Sequence, residues 1–199
     1  MRAPSTRTRK FLLWGSGPVA VLLAGLMVWQ GSEAAFTAET YNAGNNWNTG
    51  TVLLTNDGTG SAMFSLQNLV PMQTGSHCIT VTAATTVAGV VKTYFDNNTP
   101  NGLENNLTLK VEQGSGGSFG SCAGFTPAAT VAAQPLATYF TNNTSFDTGI
   151  LPWVKGTGTQ STSYKFTWVF DTTGLTQAQI DALQGTSVRT DIEWELQNS

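Results

Sequence analysis

From residue 164 to 170 the chain reads Tyr-Lys-Phe-Thr-Trp-Val-Phe, which puts Tyr164, Phe166, Trp168 and Phe170 on one side of an extended backbone. A helix cannot gather rings at a spacing of two, because its side chains turn by about 100° per residue. A strand with one apolar face needs a second layer to cover it. Leu107-Thr-Leu-Lys-Val-Glu-Gln113 repeats the pattern. There Leu107, Leu109 and Val111 share the apolar face, and Lys110 and Glu112 are expected to face water. Similar β-prone runs at 35–41, 51–55, 62–66, 77–82, 89–95, 136–140 and 187–196 are separated by Gly, Asn, Asp, Ser and Pro. This spacing predicts an all-β, antiparallel β-sandwich.

The punctuation has physical content. Asn56-Asp57-Gly58 and Asn101-Gly102 supply residues that tolerate positive φ, and Pro71 ends the ladder of the run before it. Residues 114–122, rich in Gly and Ser, predict a flexible loop. One segment breaks the β rhythm. In 176–184, Thr176 suits an N-cap, Ile180 and Leu183 share a side, and Gly185 follows as a stop. One short surface helix is expected there, leading into the last strand. Asn97–Thr99 and Asn142–Thr144 match glycosylation acceptors in form and equally read as turn-forming loops.

The N-terminus has a different composition. Arg2, Arg7, Arg9 and Lys10 precede an apolar stretch whose unbroken part, 19–29, is short against the roughly 20 residues of a membrane span. Ser32 and Ala34 then place small residues at −3 and −1 of a cleavage site before Ala35. Residues 1–34 read as a signal peptide with an apolar helix, removed between Ala34 and Ala35. A retained membrane anchor is the alternative. Residues 35–199 form one domain of a size that supports a core. That part carries five basic and eleven acidic residues, with the bases scattered (Lys92, Lys110, Lys155, Lys165, Arg189). With no basic patch to neutralise phosphates, nucleic acid is excluded as a partner. Membrane contact is expected only through an uncleaved signal.

Cys78 and Cys122 are the only cysteines. A pair in an exported chain predicts a disulfide, with two buried free thiols as the alternative. The chemistry-bearing residues are few. A zinc peptidase needs two histidines one helical turn apart with a glutamate, and His77 is the only histidine. Gly116-Gly-Ser-Phe-Gly120 has the letters of a Gly-x-Ser-x-Gly elbow, but it lies in the Gly/Ser-rich run expected to be a loop and not at a strand-to-helix turn. The chain is therefore expected not to be an enzyme and to need no cofactor. Asp191, Glu193 and Glu195 alternate along the last strand. They read as a solvated face opposite Ile192, Trp194 and Leu196, or as a calcium cluster. Trp168 and Trp194 are expected in the core. Trp47 and Trp153 are expected in loops, where exposed rings would suit a sugar platform.

Several short motifs point to a family. Ser32-Glu-Ala-Ala-Phe36 leads into Thr37-Ala-Glu-Thr-Tyr-Asn42 and then Trp47-Asn-Thr-Gly-Thr-Val-Leu-Leu54. Downstream lie Asn68-Leu-Val-Pro71, His77-Cys-Ile-Thr-Val-Thr82 and Glu193-Trp-Glu-Leu-Gln197. Together they resemble the TasA/camelysin family of exported Gram-positive proteins, and the cysteine pair and low charge resemble an actinobacterial branch of it. The resemblance implies a jelly-roll-like sandwich, processing by a dedicated signal peptidase, and a role as a secreted cell-surface or extracellular biofilm-matrix protein that joins into fibres. Its partners would be itself, as a homopolymer, or other matrix and surface proteins. The peptidase label given to camelysins has no matching zinc motif here. A secreted module binding glycans or cell wall is the second functional reading.

After cleavage, Ala35, Phe36, Thr37, Ala38, Glu39, Thr40 and Tyr41 form a free, mostly uncharged, β-prone end. It can add to the sheet edge of a neighbouring copy, or pair within its own sandwich as an edge strand. Both readings begin with processing. N-terminal sequencing of the exported protein is expected to start at Ala35, and a full-length species stably held in the membrane would contradict this.

Overall fold

The aromatic alternation lies in β8 (Gly158–Phe170), where Tyr164, Phe166, Trp168 and Phe170 are buried and Lys165, Thr167 and Val169 are not. The computed structural model describes residues 37–39, 52–66 and 68–198. The expected signal peptide, the Ala34–Ala35 junction, Phe36, Thr40, Tyr41 and Trp47 lie outside the described residues.

The remaining strands are β1 (Thr37–Glu39), β2 (Val52–Asn56), β3 (Thr74–Thr85), β4 (Gly89–Thr99), β5 (Leu107–Ser115), β6 (Thr126–Pro135), β7 (Ile150–Lys155) and β9 (Arg189–Asn198). Two antiparallel sheets form, ordered β1-β9-β4-β7 and β2-β3-β8-β5-β6. Without β2 these are the two four-stranded sheets of a jelly roll, which interleaves chain order between its layers. β2 extends the second sheet beside β3.

The core lies between the sheets. The second sheet contributes Ile79, Val81, Leu109, Val111 and the rings of β8; the first contributes Val91, Phe95, Trp194 and Leu196. Trp194 joins the layers, with ring centroids 5.6 Å from Tyr164 and 6.2 Å from Phe166. Gly75 pairs with Trp168 across β3 and β8. A Cβ at Gly75 would lie 2.8 Å from that indole, so glycine lets the ring cross the strand.

Several expectations need correction. Residues 136–140 are not a strand. They open α1 (Leu136–Asn142), because Pro135 ends β6 and Leu136, Tyr139 and Phe140 follow helical spacing. Tyr139 is fully buried, lies 4.7 Å from Phe95 between ring centroids, and donates its hydroxyl to the Leu109 carbonyl at 3.1 Å. The expected surface helix is α2 (Gln177–Ala182), closed by a capping box between Thr176 and Gln179. The described chain therefore has two α-helices rather than one. Residues 62–66 form no strand; Phe64 anchors that segment against His77 and Phe166 instead. β6 and β7 were not anticipated. β6 is mostly alanine and threonine, and β7 contains Pro152, which an edge strand tolerates at a bulge.

The buried tyrosines make alkaline stability testable. Burial pushes the phenols of Tyr139 and Tyr164 up to about 12 from 10.0. Tyrosines of the unfolded chain ionise near 10, so the unfolded state gains anions first as pH rises. This contribution is complete below about pH 10 and is lost on approach to about 12. The melting temperature is expected to hold to about pH 9 and fall between about pH 10 and 12. Tyr139→Phe/Tyr164→Phe should reduce that fall; an unchanged fall would contradict the account.

Candidate functional site

The N-terminal strand sits at one flank of the sandwich. β1 pairs antiparallel with β9 through Thr37 with Gln197, Ala38 with Leu196 and Glu39 with Glu195. It is the outermost strand of its sheet. The described part of the expected assembly strand thus pairs within its own chain, over three residues. Its position follows from the core: Trp194 and Leu196 are buried inward, which fixes β9 and presents its edge to β1.

The opposite flank is formed by β6 and β7, each outermost in its sheet. Both are interrupted. β6 carries Pro127 and Pro135 and shifts register at two places against β5; β7 carries Pro152 and a shift against β4. Leu151, next to that proline, adopts φ 50. Prolines and bulges remove the regular donors a new strand would need, which blunts lateral pairing.

Between β7 and the end of the second sheet lies an open cleft of about 340 Å³, lined by Gln113, Ser115, Ala128, Pro152, Trp153 and Thr162 among others. Trp153 is therefore in a strand rather than the expected loop, half-buried and packed partly against the core. Its neighbour Val154 is 79% exposed. Trp153 alone was legible as a candidate. Gln113 and Thr162 reach the cleft only through the pairing of β5 with β8, which spacing along the chain does not reveal.

Beside the cleft, the turn Lys155-Gly156-Thr157-Gly158 holds a lysine that is fully buried. Its ammonium donates to Thr85 Oγ1 at 3.0 Å, to the Gly156 carbonyl at 2.6 Å and to the Gly158 carbonyl at 2.5 Å. Three donors thus meet three neutral acceptors, which compensates the burial of the charge by hydrogen bonding and ties the turn together.

The cysteines form the expected disulfide, Cys78–Cys122, with Cα atoms 5.2 Å apart. It is one part of a clamp on the loop after β5. Asp57 accepts from the Thr80 amide at 2.8 Å and, through its other oxygen, from the Phe119 amide at 2.7 Å. Ser118 and Ser121 exchange backbone bonds of 2.8 and 2.9 Å. The loop expected to be flexible is therefore pinned at several points. His77 lies inside β3, its ring edge-on to Phe119 at 4.9 Å and to Phe64 at 5.9 Å.

The carboxylate row is not uniformly solvated. Asp191 is exposed and accepts from Asn97 at 2.8 Å. Glu195 is buried and accepts from the Tyr94 hydroxyl at 3.1 Å and from Gln197 at 2.9 Å. Burial, and then Glu193 and Glu195, raise the Tyr94 phenol above its ordinary value. Glu112, also expected to face water, is buried and pairs with Lys110 at 2.6 Å. Among the described residues no three His, Cys, Asp or Glu side chains converge as a metal site.

No protein-family model matches the chain, and no curated protein matches it.

The clamp yields a stability prediction. The bridge closes a separation of 44 residues, which on the chain-entropy account stabilises by about 4 kcal/mol. Cys78→Ser/Cys122→Ser is expected to lose about 2–4 kcal/mol in denaturant unfolding. A loss under about 1 kcal/mol would show that Asp57 and the Ser118–Ser121 turn hold the loop without it.

Proposed function

We propose that this chain is a secreted structural protein of the cell surface or extracellular matrix whose copies join by exchanging their N-terminal strands. One observation carries the reading: β1 lies at a sheet edge and is held to β9 through three residue pairs. Backbone hydrogen bonds contribute about 1 kcal/mol each on balance, so such a strand opens far more readily than the core.

In the exchange, Thr37–Glu39 of one copy leaves its own β9 and takes the same register on the β9 of the next. No new interface has to be invented, because donor and acceptor already fit each other within one chain. This is domain swapping, and its head-to-tail form does not close on itself and so extends into filaments. The blunted flank at β6 and β7 supports the reading, because it discourages sideways pairing that would compete. Signal removal between Ala34 and Ala35 frees the strand end, so export acts as the trigger. The TasA/camelysin resemblance of the sequence motifs agrees with this role.

The test compares the mature protein with a variant beginning at Gly44, by light scattering and negative-stain microscopy. The mature protein is expected to form filaments, and the shortened one to stay folded and monomeric by circular dichroism. Filaments from the shortened form would contradict the proposal. So would a mature protein that stays monomeric in all conditions while the shortened one unfolds.

A further inference from the structure

Negative charge gathers where β1 meets β9. Residues directly opposite each other in an antiparallel pair share a face of the sheet, and Glu39 stands opposite Glu195. From the other side, Lys92 of β4 stands opposite Glu195 and Tyr94 opposite Glu193. Glu193 and Glu195 alternate along β9, so both belong to the face that carries Glu39. Further along the same face, Asp191 is opposite Asp96.

The one ammonium of this face is engaged elsewhere. Lys92 Nζ lies 4.7 Å above the Phe146 ring and donates to the Asp147 carbonyl at 3.4 Å. Glu195 is buried, and its two oxygens accept from the Tyr94 hydroxyl and the Gln197 amide, both neutral. Its charge is thus held by hydrogen bonds and not by a counter-charge. Burial first, and then Glu193 and Glu195, raise the Tyr94 phenol above its ordinary value, so both carboxylates act at one place.

Like charges directly opposite each other destabilise a strand pair. Here the cost falls on the strand with less to hold it. β9 is also paired with β4 along most of its length, whereas β1 has only β9 as a neighbour in its sheet. We infer that the opposition of Glu39 and Glu195 is a release device for β1, controlled by counter-charge: inorganic cations that screen these carboxylates hold the strand closed. This deepens the strand-exchange reading and rests on it for its consequence in assembly. Exchange rebuilds the same opposition on the neighbour's β9, so the balance between own and neighbouring β9 is unchanged. What the device sets is rate: how fast a closed chain offers its strand, and how long a joint lasts.

The experiment uses the full mature chain and reads release in the monomer, before any filament. Hydrogen–deuterium exchange of the peptide 35–41, corrected for the intrinsic rate of each sequence, is followed by mass spectrometry. In dilute buffer, Glu39→Gln is expected to exchange about two- to five-fold more slowly than the parent chain, from the usual strength of an opposed pair. Glu39→Lys should exchange more slowly still. Asp191→Asn removes a carboxylate of β9 that faces Asp96 and not β1, and is expected to behave as the parent. In about 1 M sodium chloride, where the Debye length is about 3 Å, the parent should slow toward Glu39→Gln. Equal exchange of parent and Glu39→Gln in dilute buffer overturns the inference, and so does faster exchange of Glu39→Lys. A difference untouched by salt assigns the effect to strand propensity and overturns it too. Light scattering of the same samples separates the two readings. Charge-dependent release without filaments from any chain upholds the device and counts against strand exchange. Filaments with neither release nor growth following the charge at position 39 uphold exchange and end the device.

Discussion

The packing of Trp194 onto the rings of β8 is the interaction on which the rest of the structure depends. β8 is the middle strand of its sheet and pairs with both β3 and β5. Besides Phe64, which meets Phe166 at 6.3 Å between centroids, its inward rings need a second layer. Trp194 supplies it, with Tyr164 and Phe166 both within 6.2 Å between centroids. Aromatic side chains of this kind each bury on the order of 150–250 Å² and dominate a small core. Once Trp194 points inward, the pleat fixes the direction of every residue of β9 and so the edge it offers to β1. The core and the candidate assembly edge are two faces of one strand.

What the sequence made legible follows from the same physics. Period-two patterning in 107–113 and 164–170 identified central strands, because one face of each is buried. The helix at 177–182 was legible from its cap. Where tertiary context overrides local pattern, reading the chain alone failed. Leu136, Tyr139 and Phe140 are few enough to suit either period, and Phe95 and the Leu109 carbonyl decide for a helix. No strand was expected at 150–155, where Pro152 removes a ladder donor, yet β7 is an edge and bulges there. Glu112 and Glu195 alternate with apolar residues as if solvated, but Lys110 and Tyr94 reach over to partner them. The cleft was legible only through Trp153, because its other walls come from distant segments.

The structure is also asymmetric in how it treats its borders. The loop after β5 is covalently and electrostatically pinned, through the disulfide and Asp57. The turn after β7 is tied from within by Lys155. The flank of β6 and β7 is blunted by prolines. Among the described residues, β1 and β2 are the outermost strands of the other flank, and β1 pairs with β9 over Thr37–Glu39.

The central claim concerns whose β9 each β1 occupies. Filaments grown from an equal mixture of two mature preparations, one labelled with ¹³C at Ala38 and the other with ¹⁵N at Leu196, place the two labels in different chains. Solid-state NMR correlation between them is expected, because strand exchange puts Ala38 opposite Leu196 of the neighbouring copy. Filaments that give this correlation only when both labels are in the same chain would contradict strand exchange and leave β1 as an internal edge strand.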